Sequence, residues 1–166
     1  MARRRYQRKQ TKRILTSIKR FIMKLTPFHL AIQVRDLEEA REFYGQKFGF
    51  PEGRSTSEWI DFNMFGHQLV THLNPAIGKQ GKITQISNSV DGHGVPVPHF
   101  GVVLEIKDWQ ELAEKAKNAI EEFIIEPYTR FKGATGEQST MFFNDPSGNA
   151  LEFKAFKNIN EELFKT

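Results

Sequence analysis

HLAIQVRDLEEAREFY, from His29 to Tyr44, can be laid against HFGVVLEIKDWQELAEKA, from His99 to Ala116. Each copy opens with a histidine in a short β-prone run, reaches an aspartate, and continues as an apolar stripe at helical spacing. The stripe is Leu37, Ala40, Phe43 and Tyr44 in the first copy and Trp109, Leu112, Ala116 and Ile120 in the second. Asp36 with Glu39, and Asp108 with Glu111, have the D-x-x-E spacing of a capping box. Its carboxylate takes orphan N–H groups at a helix start and suits the helix dipole.

Turn-rich segments and further β-like runs follow each helix: EWIDFNMF and HQLVTHL in the first half, and FIIEPYTRF, STMFFN and NALEFKAF in the second. The sequence therefore predicts an α+β fold of two tandem β-α-β-β-β modules, at residues 25–75 and 97–157, joined by a linker over 76–96. The linker is rich in Gly, Pro, Ser and Asn and long for a plain loop, which suggests that it crosses to a partner or covers a site. Residues 158–166 read as a C-terminal tail.

The chain has 166 residues and no cysteine. One domain, or two similar halves sharing a core, fits that length without staples. Thiolate metal sites and cysteine nucleophiles are excluded, so any metal is held by imidazole and carboxylate. No apolar run approaches the roughly 20 residues that cross a bilayer, so a soluble, cytoplasmic protein is expected. The formal charge of +4 hides an asymmetry: residues 1–22 carry nine cations and no acid, and the rest of the chain sums to −5. The basic balance belongs to an N-terminal extension, residues 1–24, read as disordered, and is poor support for specific nucleic-acid binding.

Alternation along strands assigns faces to the polar residues. His29 goes with Ala31 and Gln33, His99 with Gly101 and Val103, His72 with Val70, and Glu152 with Ala150 and Lys154. The opposite faces are more apolar and are the ones to pack on helices. A lone strand histidine is more often a hydrogen-bonded core or surface residue than a ligand. Four such groups in equivalent opening and closing strands instead fit a two-histidine, one-carboxylate site with open coordination positions.

At these residues the chain resembles the vicinal oxygen chelate superfamily, which includes glyoxalases, bleomycin resistance proteins and extradiol dioxygenases. The resemblance covers about residues 27–156. It rests on PFHLAIQVRDLEEAREFYGQKFGF, PHFGVVLEI and MFFNDPSGNALEFKAF, the last being the most specific. It implies a cupped mixed sheet around a divalent metal, with His29 and His99 as first-strand ligands and Glu152 as the last-strand carboxylate. His72 stands where glyoxalases carry a glutamate, and is a candidate fourth ligand.

The remaining triad is similar to the iron site of extradiol dioxygenases. It implies Fe(II), with Mn, Ni or Zn as alternatives, a small aromatic diol or related bidentate oxygen substrate, and a homodimer. His67 loosely resembles the acid/base histidine of that branch. Tyr128 and Arg130 are candidates to orient a phenolic or anionic substrate, Arg130 by its fixed fork of donors. Two other functions stay open: a glyoxalase-like lyase or isomerase, and a protein that binds a small molecule without turnover.

Overall fold

The computed structural model describes residues 26–90, 92–133 and 136–164. The expected N-terminal extension, 1–24, lies outside the described residues. The first module runs β1 (His29–Val34), α1 (Leu37–Ala40, continuing as a π-helical segment over Arg41–Lys47), β2 (Glu52–Ser55), β3 (Trp59–Met64) and β4 (His67–Leu73). A 3₁₀ turn at Pro75–Ile77 leads to a hairpin of β5 (Ile86–Val90) and β6 (His93–Val97). The second module follows as β7 (His99–Phe100), β8 (Val103–Glu105), α2 (Ile106–Ala119), β9 (Phe123–Arg130), β10 (Gln138–Asn144) and β11 (Ala150–Phe156). A short helix α3, Ile159–Glu162, occupies part of the expected tail.

The two sheets have the same order. In the first it is β1-β4-β3-β2; in the second β11 stands beside β7 and β8, with β10 and β9 beyond. The first strand pairs parallel with the last in both modules, and the remaining pairs are antiparallel. This is the mixed α+β architecture the repeat predicts, except that the opening strand of the second module is split into β7 and β8.

Asp36 caps α1 as expected, its side chain accepting from the backbone N–H groups of Glu38 and Glu39. Asp108 does not cap α2. That helix starts two residues earlier, at Ile106, and Asp108 sits in its first turn, where a negative charge still suits the dipole. The linker, long for a plain loop, holds secondary structure of its own: Ile86–Val90 and His93–Val97 pair as the β5–β6 hairpin. Val95 of that hairpin packs on Ile125 and Phe142.

One core serves both modules. Val34, Phe43, Tyr44, Ile60, Phe62 and Leu69 from the first are continuous with Leu104, Trp109, Leu112, Phe143, Leu151 and Phe153 from the second. Phe48 stacks on Phe143 with ring centroids 5.2 Å apart, and Phe143 stacks on Phe153 at 5.9 Å. Burying each such ring contributes roughly 2 kcal/mol. The helix-facing sides of the two sheets thus back onto one interior.

A polar clasp crosses that interior. The Asp145 carboxylate, in the turn before β11, accepts from Tyr44 Oη at 2.8 Å, Ser147 N at 2.9 Å, and Asn149 N and Nδ2 at 2.8 Å each. Asn149 Nδ2 also donates to the carbonyl of Gln33, and Ser147 Oγ accepts from Arg35 N. Burial pushes the Asp145 carboxyl above its ordinary 3.8, against the opposing pull of Asn149, Tyr44 and Ser147 as donors. Burial, followed by the neighbouring Asp145 charge, also pushes the Tyr44 phenol well above 10.0.

Asp145→Ala leaves several buried donors without an acceptor and is expected to cost about 3 kcal/mol; Tyr44→Phe, which removes one donor, should cost about 1–2 kcal/mol. Chemical denaturation measures both. The raised native pKa also sets a sign: the native state holds the Asp145 proton more tightly than the unfolded chain. This contribution to stability is present below pH 3.8 and is lost as pH rises through the native value. Melting temperature followed against pH should show that descending step in wild type and lack it in Asp145→Asn.

Candidate metal centre

The outer face of the second sheet is set by β11 and its neighbours. His99 pairs with Ala150 across the parallel ladder, placing His99 on the same face as Ala150 and Glu152. Phe142 of β10 pairs with Glu152, Thr140 with Lys154, and Tyr128 of β9 with Thr140. Leu151, Phe153 and Ala155 alternate onto the opposite face, in the core. Glu152 therefore occupies a strand interior, paired with Phe142 of β10 on one side and facing the break between β7 and β8 on the other, and only 6% of it is exposed.

His99 Nε2 lies 3.2 Å from Glu152 Oε2. The other ring nitrogen, Nδ1, is 2.7 Å from the carbonyl oxygen of Pro96. A carbonyl only accepts, so Nδ1 carries a proton, and in the neutral tautomer the lone pair is at Nε2. Two acceptors then face each other across 3.2 Å, an arrangement that a proton or a cation reconciles. Glu152 Oε1 is occupied differently: it accepts from Thr140 Oγ1 at 2.8 Å and lies 3.2 Å from Lys154 Nζ.

Tyr128 and Arg130 share this outer face by register, two strands away from β11. Tyr128 lies against the hairpin, its ring centroid 5.6 Å from that of His93, and Arg130 has its guanidinium over the Phe131 ring at 5.1 Å. His93 is exposed and belongs to β6.

The other three histidines belong to the first sheet. His29 is exposed on its outer face, with Nδ1 2.7 Å from Gln68 Oε1. With that oxygen accepting, Nε2 of His29 is the acceptor nitrogen, as in His99. His72 is exposed and pairs with Gln33 and Trp59. His67 accepts the backbone N–H of Phe28 at Nδ1, 3.0 Å away, and alternates off the His72 face.

The strands carrying His72 and Glu152 are equivalent, but the positions are not. Because His29 pairs with Gln68 and His99 with Ala150, the residue matching Glu152 is Val70; His72 matches Lys154. His29 and Glu152 are likewise not brought together within the chain. Their faces are the outer sides of two sheets whose inner sides share the core. Among the described residues, no three His, Asp or Glu side chains form a metal-holding group. Two clefts, of about 420 and 440 Å³, lie elsewhere: one between Phe48, Phe65 and Lys115, the other beside Asp61 and His67.

Sequence reading missed Thr140, Lys154 and the Pro96 carbonyl as partners of the site. Lys154 was within reach, since alternation puts it on the face of Glu152; Thr140 required the β10–β11 register.

A profile of the Glyoxalase/Bleomycin resistance protein/Dioxygenase superfamily matches residues 26–153. The chain belongs to this superfamily. It is similar to the crystal structure of a glyoxalase/bleomycin resistance protein/dioxygenase from Alicyclobacillus acidocaldarius. Identity there is 33%, with 83% of this chain and 98% of that chain covered and a TM-score of 0.65. The genomically encoded fosfomycin resistance protein FosX from Listeria monocytogenes shares the fold at 18% identity, 81% and 95% coverage and a TM-score of 0.54. A member from Nocardioides does so at 18% identity, 94% and 99% coverage and the same TM-score. No curated protein matches the chain. Among the described residues, this superfamily member has no helix long and apolar enough to cross a membrane.

Gly101 controls the approach of the opening strand to Glu152. A Cβ there would lie 1.6 Å from the Glu152 carbonyl oxygen and 2.6 Å from its carbonyl carbon. Gly101→Ala must push the backbone of β11 aside, and an expected loss of about 3 kcal/mol or more follows from overpacking. Thermal unfolding checks it, with Gly94→Ala, where a Cβ would make only an ordinary 3.8 Å contact with Ser87, as the control for a glycine away from β11.

Proposed function

We propose that the protein is a divalent-metal-dependent enzyme acting on a small substrate through two adjacent oxygens, most specifically an extradiol-type dioxygenase for an aromatic diol. The observation that carries this reading is the convergence of His99 Nε2 and Glu152 Oε2 at 3.2 Å, with the imidazole tautomer set by Pro96. Imidazole nitrogen and carboxylate oxygen are donors that Fe(II), Mn, Ni and Zn all accept, so the residues present fit such an ion.

Two ligands do not complete a facial site. His29 is exposed, has the same tautomer logic as His99, and lies on a face its own chain leaves uncovered by the shared core. The third ligand in this proposal is therefore His29 of the partner subunit in a two-fold dimer, where each site uses the first module of one copy and the second module of the other. His72 is left outside the ligand set, since it stands two residues beyond the place that matches Glu152.

Fe(II), when bound, supplies the redox and Lewis-acid chemistry that couples a diol with dioxygen. The chain's own residues do the rest. Glu152 and His99 fix the position at which substrate oxygens arrive. Tyr128 and Arg130, on the same face, orient the ring and its acidic oxygen. The β5–β6 hairpin, seated by Val95 on Ile125 and Phe142, limits water at that end of the face. No role is placed on His67, whose Nδ1 is committed to Phe28.

A glyoxalase-like lyase or isomerase is the second reading, favoured by the same donor set with a metal that does not change oxidation state. It is weakened by Val70, which puts an apolar side chain where a second carboxylate would stand.

Protein purified anaerobically should hold close to one iron per chain, lost in Glu152→Ala and in His29→Ala, and should consume oxygen with catechols. Mixing those two variants should restore about a quarter of the sites, because half of the dimers are mixed and each mixed dimer has one intact site. Another metal dependent on Glu152 would favour the lyase. Absence of any bound or reconstitutable metal would favour small-molecule binding without turnover.

A further inference from the structure

The two oxygens of Glu152 have different surroundings. Oε1 takes the Thr140 hydroxyl at 2.8 Å and faces the Lys154 ammonium at 3.2 Å, whereas Oε2 faces His99 Nε2. Thr140 is 1% exposed, so its hydroxyl has no access to water as an alternative partner. Both groups come from rigid strand positions: Lys154 is two residues along β11 on the same face, and Thr140 is its cross-strand partner on β10.

We infer that Thr140 and Lys154 are positioning residues that withhold Oε1, so that Glu152 presents a single oxygen to a metal ion. This rests on the metal-centre reading above and goes beyond it by assigning the denticity of the carboxylate and the residues that set it. A carboxylate binding through both oxygens fills two coordination positions. Held to one, it leaves an additional position for a substrate that binds through two oxygens and for a further small ligand. A hydroxyl donor and an ammonium on one oxygen also draw charge from the carboxylate, which leaves the metal a stronger Lewis acid than an unpartnered glutamate would. His99 is treated in the same way, since Pro96 occupies Nδ1 and directs coordination to Nε2.

The test uses Co²⁺ as the probe, added to metal-free protein, with affinity from titration and coordination number from the visible absorption of the bound ion. Wild type should bind near one equivalent with the intense spectrum of a low-coordinate site. Thr140→Val should weaken binding by about 10–100-fold, the usual effect of losing a partner that orients a ligand. Thr140→Val combined with Lys154→Met should in addition lower the molar absorptivity by several-fold, as Oε1 joins Oε2 and coordination number rises. Thermal unfolding of each variant, compared with wild type, separates a site effect from loss of fold, and Thr140→Ser should retain the wild-type spectrum and affinity if the hydroxyl is what matters.

Wild-type affinity and absorptivity in the folded double variant would overturn the inference while leaving the metal centre standing. Weakened binding with an unchanged spectrum would also overturn it, since the residues would then support the site without setting denticity. Failure of the wild type to bind Co²⁺ would overturn the metal-centre reading, and this inference with it.

Discussion

The Asp145 carboxylate is the constraint on which the rest of the molecule depends. It sits in a buried turn where Tyr44, Ser147 and Asn149 donate to it, and it therefore joins the helix of one module to the turn that launches the last strand of the other. Desolvation works against the charge and four donors work for it, so its value lies in how completely it is partnered. The strand it launches is β11, two of whose neighbours along the chain decide the chemistry: Leu151 points into the core and Glu152 points away from it. A shift of that turn by one residue would exchange those two faces.

Packing back to back decides what a single chain can and cannot assemble. Phe43, Phe48 and Phe143 join the helical sides of both modules into one interior, which leaves each sheet with an outer face of its own. His99 and Glu152 share one outer face; His29 is on the other. On the proposed reading the centre is completed by a second copy, because the shared interior puts His29 and Glu152 on different outer faces.

The repeat made much of this legible. Histidine, aspartate and a helical stripe recurring at His29 and His99 were enough for the module count, the order of elements and the faces of Glu152 and His99, because period-two and period-3.6 patterns are local. Register is not local. Val70 and His72 lie on the same face of β4, and only the pairing of His29 with Gln68 reveals that Val70 is the one matching Glu152. The start of α2 is not legible locally for a related reason: Asp108 has the spacing of a cap, but Ile106 and Lys107 already belong to the helix, which begins after Glu105 at the end of β8. The hairpin at 86–97 was hidden by composition, since Ser, Asn, Gly and Pro in ISNSV and HGVPV read as loop until the two runs are paired.

The shared interior also separates what must be kept from what is free to change. Residues facing inward from both modules constrain one another, whereas the two outward faces share no contacts through that core. A duplicated unit built in this way can let its halves diverge on the outside at little cost to folding. Val70 and Glu152 show what such a scaffold tolerates: equivalent positions beside the opening strand, apolar in the first module and ionisable in the second.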